Sequence, residues 1–361
     1  MFQIDQISIL QFKNYTTAVF SFPEKVVGIY GKNGIGKTNL LDALYYLCFT
    51  KSYFSRSESV NVREGSSGFR LEAKLRCRDE QYTIVCVLRE NGKKEISING
   101  EPCLKFSSHI GRFPAVMIAP DDVEIITGGG EERRRFLDTL LSQLDHAYLL
   151  SLIQYNKILQ QRNSLLKSFA ESRYVDHQLL DVMDEQLSNS GTVISDKRKS
   201  FLESFLPLVG KSYNEISGEN YPVGIAYNTQ LAHGSFASLL QQFREKDLML
   251  QRTSGGIHRD DIEIMLKTQP FKSIASQGQR KSMLFALKLA EFEMLRNFNG
   301  FAPLLFLDDV FEKLDQTRID NLLQKVCVHN HGQVFFSDTH EERLRSRLDT
   351  LDMPYQLIHL E

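Results

Sequence analysis

Gly31-Lys32-Asn33-Gly34-Ile35-Gly36-Lys37-Thr38 follows a strand-like apolar run, Val26 to Tyr30, and opens a helix-like one, Asn39 to Leu47. Strand, glycine-rich loop and helix in that order read as a phosphate-binding loop. Glycines at 31, 34 and 36 let the backbone curl so that successive N–H groups converge on phosphate oxygens, and the helix N-terminus adds partial positive charge. Lys32, Asn33 and Ile35 complete the cradle. Lys37 is expected to reach the β- and γ-phosphates of ATP. Thr38 is expected to offer its hydroxyl to Mg²⁺, a hard ion that takes oxygen ligands. A plain glycine turn would explain the glycines but not Lys-Thr in that order after a strand.

Working outward, the 361 residues suffice for two domains or for one large domain with an insertion. Five cysteines, Cys48, Cys77, Cys86, Cys103 and Cys327, form no Cys-x-x-Cys pair, which points to free thiols in a reducing cytoplasm and away from a zinc site. The N-terminus lacks a basic patch followed by an apolar stretch, and no run approaches the length of a membrane span, so no membrane partner is expected. With a net charge of −2, any nucleic acid has to be met by a local basic patch.

The first third reads as β-rich. Runs at Ile7 to Phe12, Ala18 to Phe22, Leu71 to Leu75, Tyr82 to Leu88 and Glu95 to Ile98 are divided by turn pairs such as Asn91-Gly92 and Asn99-Gly100. Beyond Gly128-Gly129-Gly130 the period becomes helical, with Leu137, Leu140, Leu141, Leu144, Tyr148, Leu152, Tyr155 and Leu159 spaced by threes and fours. A second helical stretch is expected from Asp176 to Tyr213, broken or bent at Pro207. Neither sustains the heptads of a long coiled coil. After Pro270 the α/β character returns.

Leu304 to Leu307 followed by Asp308-Asp309 has the form of a buried strand that delivers carboxylates to a nucleotide site. Asp308 is the expected Mg²⁺ ligand, direct or through water. Asp309 falls where a carboxylate can orient or polarise the attacking water. Upstream, Ser276-Gln277-Gly278-Gln279 opens a helical run from Arg280 to Leu295. Exposed N–H groups and a serine hydroxyl at a helix start make an anion site, and also an ordinary N-cap. Two phosphate-binding helix starts in one chain suggest that the second, with Ser276, Gly278 and Gln279, serves a partner's nucleotide.

Together these residues resemble the ABC-type ATPase heads of the SMC family, and within it the branch that serves DNA recombination and repair. The likeness runs through Phe12-Lys13-Asn14-Tyr15, the phosphate loop, Arg133-Arg134-Arg135-Phe136-Leu137-Asp138, Gln161-Arg162-Asn163 and His258-Arg259-Asp260-Asp261. It continues through Ser276 to Arg280, Leu287-Lys288-Leu289-Ala290-Glu291, and Leu307-Asp308-Asp309-Val310 with Leu314-Asp315. The resemblance implies an α/β fold, an ABC-type P-loop ATPase head with a mixed-sheet lobe and an inserted helical second lobe, without a long coiled coil. Residues 1–120 and 270–361 are expected to form the ATP-binding lobe and 121–269 the helical lobe. It further implies an ATP-dependent homodimer that sandwiches two ATP molecules, each phosphate loop facing the other subunit's Ser276.

Such a dimer would bind duplex or gapped DNA and single-strand/double-strand junctions, hydrolyse ATP slowly to release them, and help load a recombinase through mediators of the RecO and RecR type. Departures from the family pattern fall at Gly130, Ile257 and Lys13. Residues 115–127 hold no glutamine for a Q-loop, so Asp121 or Asp122 is the substitute, and Ser337 or Asp338 is the candidate for sensing the γ-phosphate.

The densest cationic clusters, Arg133-Arg134-Arg135 and Lys197-Arg198-Lys199, read either as solvated helix faces or as DNA phosphate contacts. Two other classes compete. A transporter-type ABC ATPase subunit would normally carry a Q-loop, and a small-molecule kinase leaves Ser276 to Gln279 and Leu314-Asp315 without a purpose.

Overall fold

Five short strands carry the phosphate loop, β3 (Val26–Tyr30), β8 (Ala115–Ile118), β12 (Leu304–Leu307) and β13 (Val334–Asp338) almost wholly buried and the edge strand β14 (Tyr355–His359) half-buried. They pair in parallel in the order β14-β3-β13-β12-β8. Unbroken apolar runs such as Leu304-Leu305-Phe306-Leu307 belong in a sheet covered on both faces, where alternation would leave polar groups buried. In the computed structural model the described residues are 2–217, 223–232, 234–309, 316–329, 332–351 and 353–361. Leu314-Asp315 and Val310 lie outside them.

A second, antiparallel sheet joins β1 (Phe2–Phe12), β2 (Tyr15–Ser21), β4 (Phe69–Cys77), β5 (Glu80–Leu88), β6 (Lys94–Ile98) and β7 (Glu101–Pro102) in the order β2-β1-β4-β5-β6-β7. Asn91-Gly92 and Asn99-Gly100 stand at the reversals on either side of β6, with Asn99, Gly92 and Gly100 at positive φ. One face of this sheet packs Ile7, Ile9, Leu71, Ala73, Ile84 and Cys86 into a core shared with helix α1 (Lys37–Phe49). Alternation in β4, buried at every second residue, is the pattern of a sheet with one solvated face.

The chain divides into two compact units, 1–122 with 215–218 and 281–361, and 123–214 with 219–280. The second seam thus lies at 280/281 rather than at 269/270. The reason is tertiary: β10 (Asp261–Leu266) lies between β9 (Val223–Asn228) and β11 (Gln269–Pro270), the short helix over Phe271–Ile274 packs on β10, and Arg280 donates to the Lys272 carbonyl at 2.9 Å, so residues 271–280 stay with the helical unit.

That unit holds α2 (Glu124–Thr127), α3 (Gly130–Leu144), α4 (His146–Ser172), most of α5 (His177–Ser217), α6 (Phe236–Leu250), α7 (Phe271–Ile274) and the first turn of α8 (Gln277–Asn299). The helical period from Leu137 to Leu159 crosses a break. Asp145 ends α3, and its carboxylate accepts the Tyr148 N–H to cap α4 at 3.0 Å. Pro207 does not end α5, because Leu202, Phe205, Val209 and Tyr213 are buried on both sides of it and packing offsets the lost backbone bond. The first unit also holds α9 (Gln316–Leu323) and α10 (Glu341–Leu348). Among the described residues no helix is long and apolar enough to cross a membrane.

Candidate functional site

Tyr30 ends β3, and the chain then turns through Gly31, Gly34 and Gly36 at φ of 153°, 80° and 119° before α1 begins at Lys37. Side chains rarely adopt such backbone angles, which accounts for glycine at these positions. Gly31 is also pressed against the residue that follows the last strand, where a Cβ would lie 2.6 Å from the Leu360 carbonyl. Lys37 is buried, and its Nζ donates to the carbonyls of Gly31 at 2.8 Å and Lys32 at 3.1 Å. Its charge therefore stays within the loop. Lys32, Asn33 and Gly34 form the exposed lip, and Ile35 is half-buried behind it.

Thr38 Oγ1 donates to the Asp308 carboxylate, 3.1 Å from Oδ1 and 3.0 Å from Oδ2. Asp308 follows β12, and its own N–H donates to Ile118 at 2.9 Å, which fixes it at the carboxyl end of the sheet. Ser337, the fourth residue of β13 and fully buried, donates to Asp308 Oδ1 at 2.6 Å and accepts the Asp309 N–H at 2.9 Å. One hydroxyl thus holds both aspartates. Burial raises the Asp308 pKa, opposed by the Ser337 and Thr38 hydroxyls and reinforced by the neighbouring Asp309 charge. Asp309 itself sits at φ 46°, a left-handed conformation that Asp and Asn tolerate better than most residues.

Of the two candidates for sensing phosphate, Asp338 is turned toward its own loop. It accepts the His340 N–H at 2.9 Å and faces Arg343 at 3.4 Å. Asp122 is also engaged inward. It caps the Ala119 N–H at 2.8 Å, accepts the Tyr53 hydroxyl, and lies 3.8 Å from Lys288. Glu291, 3.7 Å from Lys288 and buried, is pushed up to about 7 by desolvation, with the Lys288 charge opposing and Asp122 adding to the shift. Asp121 is exposed.

Ser276, in the other unit, is the N-cap of α8. Its Oγ accepts the Gln279 N–H at 3.2 Å while Gln279 Oε1 accepts the Ser276 N–H at 2.9 Å. That is a reciprocal capping box, and Gly278 lies within its turn. Ser276 and Gln277 are exposed.

The cationic clusters are largely committed to their own unit. Arg133 is buried and forks onto Asp261 at 2.7 and 2.9 Å, Arg134 donates to the Asp260 carbonyl, and Arg135 pairs with Glu132. Arg198 is buried against Asp138 at 2.7 Å and Asp260 at 3.2 Å, Lys197 pairs with Asp145, and Lys199 reaches the Leu231 carbonyl at 3.2 Å. They read as staples of the helical unit and not as a prepared phosphate-contacting stripe.

Sequence reasoning gave no role to Asn14 and Tyr15, which lean on the phosphate loop from the β1–β2 turn. Asn14 Nδ2 donates to the Ile35 carbonyl at 2.7 Å, and the Tyr15 hydroxyl to that of Gly36 at 2.9 Å. Both belong to Phe12-Lys13-Asn14-Tyr15, one of the stretches that carry the family likeness.

A glycine loop between a parallel strand and a helix, with a Thr hydroxyl on a strand-end carboxylate, is the arrangement of a P-loop nucleotide-binding protein. The RecF/RecN/SMC N terminal domain family matches residues 3–356. The chain is 42% identical over 357 residues to the DNA replication and repair protein RecF of Flavobacterium johnsoniae, covering 99% of each, and 39% identical to that of Cytophaga hutchinsonii, covering 94% of this chain and 90% of the relative. Among solved structures, that of the recombination mediator protein RecF-ATP in the RecFOR pathway superposes with a TM-score of 0.87 at 32% identity, covering 94% of this chain and 92% of the other. The Smc head domain of Pyrococcus furiosus, 15% identical with a TM-score of 0.55, shares the fold. The chain belongs to the RecF family of DNA replication and repair proteins.

Proposed function

We propose that this protein binds ATP and Mg²⁺ at the loop Gly31 to Thr38, closes into a homodimer around two nucleotides, and in that state binds duplex or gapped DNA. Slow hydrolysis then releases the DNA. The observation that carries the reading is the convergence of Thr38, Asp308, Ser337 and Asp309 beside the glycine loop. Thr38 and Asp308 present only hard oxygen donors, and together they fit an ion that keeps most of its ligands from water and nucleotide. When bound, Mg²⁺ would neutralise charge on the phosphates. Lys37 binds the phosphates, Asp309 orients the attacking water, and Ser276, Gly278 and Gln279 meet the partner's nucleotide at the start of α8.

The recombination mediator RecF-ATP of the RecFOR pathway supports ATP as the ligand and mediators of the RecO and RecR type as partners. Five free thiols agree with work in the cytoplasm. The test is titration of the purified protein with ATP, with and without Mg²⁺, followed by light scattering and turnover with duplex DNA. Expected are Mg²⁺-dependent binding, self-association with ATP, and faster turnover on DNA. Absence of nucleotide binding would overturn the reading.

A further inference from the structure

We propose that Asn14 and Tyr15, on the turn between β1 and β2, are positioning residues that aim the amides of the phosphate loop. The proposal rests on the nucleotide-binding reading of that loop. In a trans peptide the C=O and the next residue's N–H point in opposite directions. Holding the Ile35 carbonyl outward therefore turns the Gly36 N–H inward, and holding the Gly36 carbonyl outward does the same for the Lys37 N–H. Asn14 Nδ2 takes the first carbonyl at 2.7 Å and the Tyr15 hydroxyl the second at 2.9 Å. The Gly36 carbonyl also accepts the Leu40 N–H of α1 at 2.9 Å, so helix and tyrosine fix it from two sides.

The turn is itself held firmly. Asn39 Nδ2 donates to Asn14 Oδ1 at 2.7 Å, so that the amide of Asn14 has both ends occupied and its orientation is set. Lys13, at φ 51°, pairs with the fully buried Asp42 of α1 at 2.5 Å. Asp42 in turn accepts the Ser52 hydroxyl at 2.6 Å and the Tyr53 N–H at 2.7 Å. Burial raises the Tyr15 pKa, which keeps the phenol protonated as a donor, and its ring packs edge-on against Phe20. The fit is close. A Cβ on residue 36 would lie 2.6 Å from Asn14 Nδ2 and 3.0 Å from the Tyr15 oxygen, so glycine there serves the turn as well as the backbone angle.

The experiment compares wild type, Tyr15→Phe, which keeps the ring, and Asn14→Ala. It measures ATP affinity, KM and kcat, thermal midpoint, and hydrogen exchange of the segment 31–38 by mass spectrometry. Losing one hydrogen bond to the loop should weaken ATP binding about five- to tenfold and raise KM by the same factor, with kcat at saturating ATP within about twofold. Exchange in the loop should quicken in both variants. If wild type binds ATP and both variants match its affinity and exchange, or lose only thermal stability, the positioning role is overturned while the nucleotide reading stands. If wild type binds no ATP, both fall.

Discussion

Thr38 and Asp308, 270 residues apart in the chain, meet through a hydrogen bond of 3.0 Å. The sheet produces this encounter, because β13 lies between β3 and β12 and leads their carboxyl ends to the same edge. Neither side chain needs a neighbour in sequence to find the other. Both need the parallel register Val334↔Val26 and Leu305↔Val334. The two motifs are thus one site, whose halves fail together when the sheet is disturbed and separately when only a side chain is changed.

Lys37 supplies the first separate failure. Its ammonium already satisfies two loop carbonyls, and a bound phosphate adds charge-assisted contacts to the same point charge. Lys37→Met should weaken ATP at least about 100-fold in a fluorescent-nucleotide titration. Lys37→Arg should bind better than Lys37→Met yet turn over poorly, since a planar fork does not sit where a compact ammonium does. Unchanged affinity in Lys37→Met would remove the phosphate-loop assignment.

Asp309→Asn should bind ATP normally and lower kcat by about 100-fold or more, trapping an ATP-bound dimer. The change is mild for the backbone, because Asn accepts the left-handed φ of 46° and keeps the N–H that Ser337 holds. Single-turnover kinetics beside light scattering separates the two effects. Wild-type turnover would mean that the water is oriented from elsewhere.

The local features of this site were legible in sequence, and the features made by tertiary pairing were not. Gly31 to Thr38 and Leu304 to Asp309 each carry their meaning within about ten residues, and both fall where the reading put them. The break at Asp145 was hidden because a cap needs one carboxylate and leaves the apolar period on either side intact. Arg133 and Arg198 read as charge runs because Asp261, Asp138 and Asp260, which neutralise them, come from distant segments. Asn14 and Tyr15 were visible as a motif but mute, since their targets are backbone carbonyls that any residue provides.

Those buried pairs predict a stability effect where a surface patch would give a binding effect. Arg198 satisfies Asp138, Asp260 and the Ile257 carbonyl from a fully enclosed position. Arg198→Met should destabilise the protein by about 3–5 kcal/mol in denaturant unfolding, by leaving carboxylates without their cation. Charge reversal at exposed Arg135, paired across one helical turn with Glu132, should cost less than about 1 kcal/mol. Equal stability of the two variants would contradict the assignment of Arg198 as a staple.

Glu291 sets a pH dependence. Its carboxyl titrates near 7 in the fold, against an ordinary value of 4.5, so the folded state binds the extra proton between those values. Its contribution is therefore fully present below about pH 4.5 and is lost as pH rises through about 7. Glu291→Gln should match wild type near pH 4.5 and exceed it at pH 8 by on the order of 3 kcal/mol, read as the difference between two denaturation series. The facing groups Lys288, Asp122, Tyr45 and Tyr53 are unchanged in the comparison. A variant no more stable than wild type at pH 8 would show that the Lys288 charge outweighs desolvation.

Ser276 raises the hardest question, because its hydroxyl already has work as the N-cap of α8. A variant that merely uncaps the helix would lose stability and mimic a lost interface. Ser276→Asp separates the roles. Aspartate is as good an N-cap as serine and favours the helix dipole, so the fold should hold within about 0.5 kcal/mol. At a phosphate contact the same carboxylate repels the ligand. With a non-hydrolysable ATP analogue, Ser276→Asp should bind nucleotide with wild-type affinity, remain monomeric in light scattering, and lose ATP-dependent DNA retention. Ser276→Arg should give the same loss of dimer by bulk and by loss of the cap, with a lower thermal midpoint. If Ser276→Asp still dimerises with ATP, the capping box is the whole role of Ser276, and the proposal that each phosphate loop is completed by a second subunit loses its support.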